Sequence, residues 1–125
     1  MRTMTRVLII DDSSFQRKII SSILTAEDYE IISAQNGLEG LKYLAGDLPD
    51  LMVLDLLMPQ MDGIEVLAEM RERGIQVPVI VLTADIQDST KQKCIELGAA
   101  RFINKPVKKD ELSATVREVL GVKGA

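Results

Sequence analysis

The chain has 125 residues, 46% of them hydrophobic and 27% charged, which suits one domain with a real core and argues against a disordered chain. Fifteen basic residues against nineteen acidic give a formal net charge of −4, a poor match for neutralising a nucleic-acid backbone, so no nucleic-acid partner is expected. The histidine count is zero, which removes histidine acid–base catalysis, Ser–His pairs and histidine metal ligands together.

In chain order, short β-rich runs alternate with amphipathic ones. "RVLII" (6–10) reads as a strand, followed by a helical stripe of Phe15, Ile19, Ile20, Ile23 and Leu24. "EIISA" (30–34) is the second strand, and "NG" at 36–37 marks the turn into a helix with a stripe of Leu38, Leu41 and Leu44. "LMVL" (51–54) is the third strand; "DG" at 62–63 opens a helix carrying Ile64, Leu67 and Met70 and stopping at Gly74. "VIVLT" (79–83) is the fourth strand, and the less regular segment 88–97 points Cys94 and Leu97 inward before a stop at Gly98. "RFIN" (101–104) is the fifth strand, and Leu112, Val116, Val119 and Leu120 mark the last helix.

Five strands, each followed by a helix, predict a doubly wound parallel sheet with helices on both faces, (βα)5. The lone Cys94 permits no internal disulfide and is expected to be a small buried hydrophobe; the redox setting suggests a cytoplasmic protein. Nothing approaches the ~18 consecutive apolar residues of a membrane span, and "MRTMTRV" lacks a signal-peptide core. Beyond Leu120 only "GVKGA" remains, so residues 1–125 are expected to form one domain, core about 6–120, with no output domain behind it.

The polar residues fall where such a sheet collects its function, at the carboxyl ends of the strands. The first strand ends in Asp11-Asp12, the third in Asp55, the fourth in Thr83, and the fifth leads to Lys105-Pro106. Each has a plain structural explanation. Asp12 and Ser13 can cap the first helix, and Asp62 the third. Thr83 can satisfy a turn, and Lys105 can be a solvated loop residue. Asp55 resists this treatment, because "LMVLDLLMP" surrounds it with apolar residues and an unpaired buried carboxylate costs several kcal/mol. Three carboxylates on one edge repel one another unless a cation sits among them. Oxygen ligands without His or Cys favour a hard ion, Mg²⁺ or Mn²⁺. A lysine and a hydroxyl on neighbouring strand ends suit the oxygens of a phosphoryl group. Together these are the parts for phosphoryl transfer to an aspartate.

"LIIDDSSFQRKII", "LMVLDLLMPQMDGIEVL", "VIVLTA" and "GAARFINKPV" resemble the receiver domain of two-component response regulators, from about Arg6 to Leu120. The ordered set DD … D-x-x-M-P-x-M-D-G … T-A … K-P is far more specific than any one piece. The resemblance implies a flavodoxin-like (CheY-like) fold. It implies that Asp55 is the phospho-acceptor, taking its group from a sensor histidine kinase or phosphotransfer protein. Asp12 would bind Mg²⁺ with Asp55 and the backbone carbonyl of Leu57, and Asp11 would assist. Lys105 would pair with the phosphoryl group, Thr83 would close on it, and Phe102 would turn inward as the aromatic switch. The Lys105-Pro106 bond would be cis, and a downstream protein would dock on the face of the fourth helix, fifth strand and fifth helix.

Two departures stand out. Phe102 lacks a phenol hydroxyl, and Leu57 offers no polar group to orient a hydrolytic water, which leaves Asp85 as a candidate for that task. A haloacid-dehalogenase-type phosphohydrolase would want a second Asp where Leu57 stands. A nucleotide or flavin module would want a Gly- or hydroxyl-rich loop where Asp11-Asp12 stand. Within the receiver reading, the expected role is a stand-alone chemotaxis-type regulator; a phosphorelay intermediate and a receiver excised from a longer protein are the alternatives.

Overall fold

The computed structural model describes residues 4–84 and 87–124. Elements alternate strictly: β1 (Arg6–Ile10), α1 (Ser14–Thr25), β2 (Glu30–Ala34), α2 (Gly37–Leu44), β3 (Leu51–Asp55), α3 (Gly63–Glu72), β4 (Val79–Thr83), α4 (Asp88–Glu96), β5 (Arg101–Asn104) and α5 (Lys109–Gly124). The strands pair in parallel in the order β2-β1-β3-β4-β5. The order reverses between β1 and β3, and that switch point is where such sheets open a crevice at their carboxyl ends.

The central strands are apolar without alternation because both faces are covered. Successive side chains point to opposite faces. Leu8, Ile10, Met52, Leu54, Val79 and Val81 meet Leu41 of α2, Val66, Leu67 and Met70 of α3 and Cys94 of α4. Val7, Ile9, Leu51, Val53, Ile80 and Leu82 meet Ile20 and Leu24 of α1 and Leu112 and Val116 of α5. All five residues of β3, Asp55 included, are buried. The edge strands β2 and β5 are partly exposed and carry ion pairs instead, Arg6 with Glu30 and Arg101 with Glu118.

Helix ends follow local chemistry. Ser13 caps α1, its hydroxyl accepting from the Gln16 N–H. Asn36 caps α2 through the Glu39 N–H. Asp62 and Glu65 form a reciprocal capping box on α3. Gly74 and Gly98 stop α3 and α4 at φ 69° and 99°, a region that a Cβ penalises.

Two members of the apolar stripes do not reach the core. Phe15 is 72% exposed and Leu38 53% exposed. Both lie in the first turn of their helices, and those turns begin past the carboxyl ends of β1 and β2, where no sheet lies beneath them.

Candidate functional site

Three carboxylates meet at the switch point. Asp11 and Asp12 leave the end of β1 and Asp55 ends β3, with one oxygen from each lying within 4.8 Å of the others. Asp11 and Asp55 are 1% and 3% exposed, whereas Asp12 is exposed. Lys105 reaches in from the segment after β5: its Nζ is 2.9 Å from Asp55 Oδ1 and 3.7 Å from Asp11 Oδ2. The Lys105-Pro106 peptide is cis, and the Lys105 N–H donates to the Thr83 carbonyl at 2.7 Å, tying β4 and β5 together at the same edge.

Burial pushes the carboxyl of Asp55 above its ordinary range; the Lys105 ammonium opposes this and the charge of Asp11 adds to it. Burial raises Asp11 likewise, opposed by the Ser13 N–H, which donates to Asp11 Oδ1 at 2.9 Å. The other oxygen, Asp11 Oδ2, is buried without a hydrogen bond. A buried, unsatisfied carboxylate oxygen beside two further carboxylates is a donor set that fits a hard divalent cation such as Mg²⁺.

The neighbouring residues fall into place around this centre. Thr83 ends β4, buried, one strand from Asp55. Gly63 is required by proximity: a Cβ there would lie 2.8 Å from the Asp55 carbonyl oxygen. Asp62 serves α3 as its cap, and Ser13, not Asp12, caps α1. Leu57 lies on the loop to α3 and is 67% exposed. Phe102 is half-buried on β5 beneath α4, and Lys91 Nζ lies 5.6 Å from its ring centroid. Asp85 lies outside the described residues. A separate groove of about 500 Å³, lined by Met70, Arg71, Ile75, Gln76, Val77 and Leu97 among others, opens at the amino end of β4, away from the carboxylates.

Sequence reasoning missed Arg17, whose Nη1 donates to the Asp11 main-chain oxygen at 2.7 Å, and Lys91 above Phe102. A basic residue one turn into a helix that starts at an acidic pair was the available signal for Arg17. No spacing rule joins Lys91 to Phe102.

The family model for the response regulator receiver domain matches residues 7–117. The chain belongs to the response regulator receiver domains. Among curated relatives, the transcriptional regulatory protein DltR of Streptococcus agalactiae is 37% identical over 112 residues, 90% of this chain and 50% of that protein. The probable transcriptional regulator ycf27 of Porphyridium aerugineum is 41% identical over 115 residues, 92% of this chain and 48% of that protein. The receiver chain thus spans about half the length of the curated relatives it matches. Among solved structures, the chemotaxis response regulator CheY4 of Vibrio cholerae is similar at TM-score 0.87 and 30% identity, over 94% of this chain and 99% of that one. A CheY-like receiver domain protein from Methanospirillum hungatei superposes at TM-score 0.92 with 26% identity, over 98% of each chain. Receiver domains are signalling domains of two-component systems; they work with histidine kinases or phosphotransfer proteins and bind Mg²⁺ at an aspartate cluster of the kind formed by Asp11, Asp12 and Asp55. Among the described residues, no helix is long and apolar enough to cross a membrane.

Proposed function

We propose that this receiver, residues 1–125 acting as one domain, accepts a phosphoryl group on Asp55 from a histidine kinase or phosphotransfer protein and signals through altered protein binding. The observation that carries this is the Lys105–Asp55 pair at 2.9 Å inside a cluster with Asp11 and Asp12. An Asp55 carboxylate oxygen attacks the phosphorus of the donor phosphohistidine. As the new O–P bond forms, the P–N bond breaks and its electron pair returns to the donor imidazole. Lys105 then holds an oxygen of the transferred group, and the Thr83 hydroxyl turns to another. Asp11, Asp12, Asp55 and the Leu57 carbonyl would hold Mg²⁺ (or Mn²⁺), which supplies positive charge against the phosphoryl oxygens. The chemistry is the domain's own phosphorylation and dephosphorylation, with no turnover of an outside substrate. The second Asp that a haloacid-dehalogenase-type phosphohydrolase would need is replaced by exposed Leu57, which disfavours that alternative.

The output is read as a protein docking on α4, β5 and α5, where Phe102 moves in response to Thr83. Similarity to CheY4, a chemotaxis response regulator, favours a chemotaxis-type role, and the cytoplasm is the setting we propose for it. DltR and ycf27, matched over about half their lengths, support a receiver that belongs to a longer regulator. A phosphorelay intermediate would use the same site.

Incubation with Mg²⁺ and acetyl phosphate tests the acceptor. One phosphoryl group should be gained and then lost to hydroxylamine, as an acyl phosphate requires, and Asp55→Asn should gain none. Undiminished labelling of that variant would move the acceptor to another residue.

A further inference from the structure

Arg17 has no part in the chemistry above, yet it touches the site. It lies one turn into α1, and its own N–H makes the ordinary helical bond to the Ser13 carbonyl. Its side chain reaches back further, and the part-buried Nη1 donates to the Asp11 main-chain oxygen at 2.7 Å. That carbonyl belongs to the rigid peptide plane joining Asp11 to Asp12. Holding it therefore fixes the direction in which Asp12 leaves the chain.

The two aspartates differ in how much else holds them. The Asp11 N–H donates to the Ala34 carbonyl at 3.2 Å, and its carboxylate accepts from Ser13. The Asp12 side chain is exposed and makes no hydrogen bond or ion pair among the described residues. Asp12 is thus aimed by its backbone: the Asp11 carboxylate holds the Ser13 N–H of the peptide after it, and Arg17 holds the carbonyl of the peptide before it. A carboxylate free to leave its peptide in several directions must be ordered each time a cation is bound, which costs affinity.

We propose that Arg17 is a positioning residue that aims Asp12 into the acidic cluster by gripping the Asp11–Asp12 peptide, so that affinity for Mg²⁺ depends on Arg17. The inference rests on reading Asp11, Asp12 and Asp55 as the Mg²⁺ site. The charge of the guanidinium acts in the opposite direction, since a cation beside the cluster repels a second one. Positioning and charge therefore predict changes of opposite sign when the side chain is removed.

The test is calorimetric titration of the full chain with Mg²⁺ alone, without phosphodonor, beside metal-free thermal unfolding. Arg17→Met should weaken Mg²⁺ binding about tenfold, the lower end for loss of a group that orients a ligand. Arg17→Lys, which keeps the charge and one donor, should weaken it less. Unchanged affinity with only a lowered melting temperature would make Arg17 a mere staple of α1, and tighter binding would leave only its charge; either result overturns the proposal. If Arg17→Met does not fold, Arg17→Lys decides alone: weaker binding supports positioning, and equal or tighter binding overturns it. Failure of the wild type to bind Mg²⁺ sinks the metal-site reading as well, whereas wild-type binding with unaltered variants sinks only the role of Arg17.

Discussion

Lys105 Nζ sits 2.9 Å from Asp55 Oδ1, the one cation paired with that buried carboxylate among the described residues. The pair explains how a strand as apolar as β3 can end in an acid. The ammonium compensates a charge that burial penalises, yet at 23% side-chain exposure it stays near enough to water to exchange partners. A phosphoryl group on Asp55 would offer it a stronger one.

Removing that cation should therefore hurt the resting fold as well as the chemistry. Lys105→Met leaves Asp55 buried beside Asp11 with no counter-charge. The partial exposure of Lys105 discounts the cost of a fully buried pair, so the expected loss is about 1–2 kcal/mol. Urea unfolding at neutral pH measures it, and a variant as stable as the wild type would mean the pair contributes nothing.

The raised carboxyls of Asp11 and Asp55 set a pH dependence. Between the ordinary carboxylate pKa and the raised ones, the folded protein holds protons that the unfolded chain has already released. Stability from these groups is therefore present at the acid end of that window and is lost as pH rises through the raised values. The difference in stability between wild type and Asp11→Asn, measured without metal, should widen against the wild type over that range. Saturating Mg²⁺ should raise the wild-type melting temperature by linkage to the native state. Asp12→Ala should raise metal-free stability and lose the Mg²⁺ response; a full Mg²⁺ shift in that variant would remove Asp12 from the ligand set.

The coupling of Thr83 to Phe102 can be followed through the ring itself. The chain has only two phenylalanines, so 4-fluorophenylalanine labelling gives two ¹⁹F resonances, one from exposed Phe15 and one from half-buried Phe102. Acetyl phosphate with Mg²⁺ should shift the Phe102 signal and leave that of Phe15. Thr83→Ala should still accept phosphate and yet lose the shift. Lys91 over the ring favours the half-buried position of the structure by about 0.5–1 kcal/mol, the range for an exposed cation–π contact. Lys91→Met should therefore move the unphosphorylated signal part of the way toward the phosphorylated one. A Phe102 signal that ignores phosphate would end the switch reading and leave the acceptor untouched.

The order of elements and the acidic edge were legible because each leaves a strong local mark. Runs such as "VLII" and "VIVL" have no polar face to show water, and Asp55 is conspicuous in "LMVLDLLMP". Phe15 and Leu38 share the apolar stripes yet miss the core, because a helical period gives a direction around an axis, not what lies there. Their first turns stand beyond the sheet, so apolar residues in phase with Ile19 and Leu41 face solvent. Arg17 and Lys91 act through contacts that depend on the path of the β1–α1 junction and on the placing of α4 against β5. Neither path is written in periodicity. In sequence, Gly63 marks only the start of a helix; the nearness of the Asp55 carbonyl, which excludes a Cβ, emerges only when α3 is set against β3.

The central claim, that Asp55 is the acceptor, is tested most directly by locating the modification chemically. Borohydride reduces an aspartyl phosphate to homoserine, so the wild-type chain can be phosphorylated with acetyl phosphate and Mg²⁺, reduced, digested and sequenced by mass spectrometry. Homoserine should be found at position 55 and nowhere else, and should vanish when Mg²⁺ is withheld by a chelator. Homoserine at position 11 or 12, or a phosphorylated chain that yields none, would contradict the account.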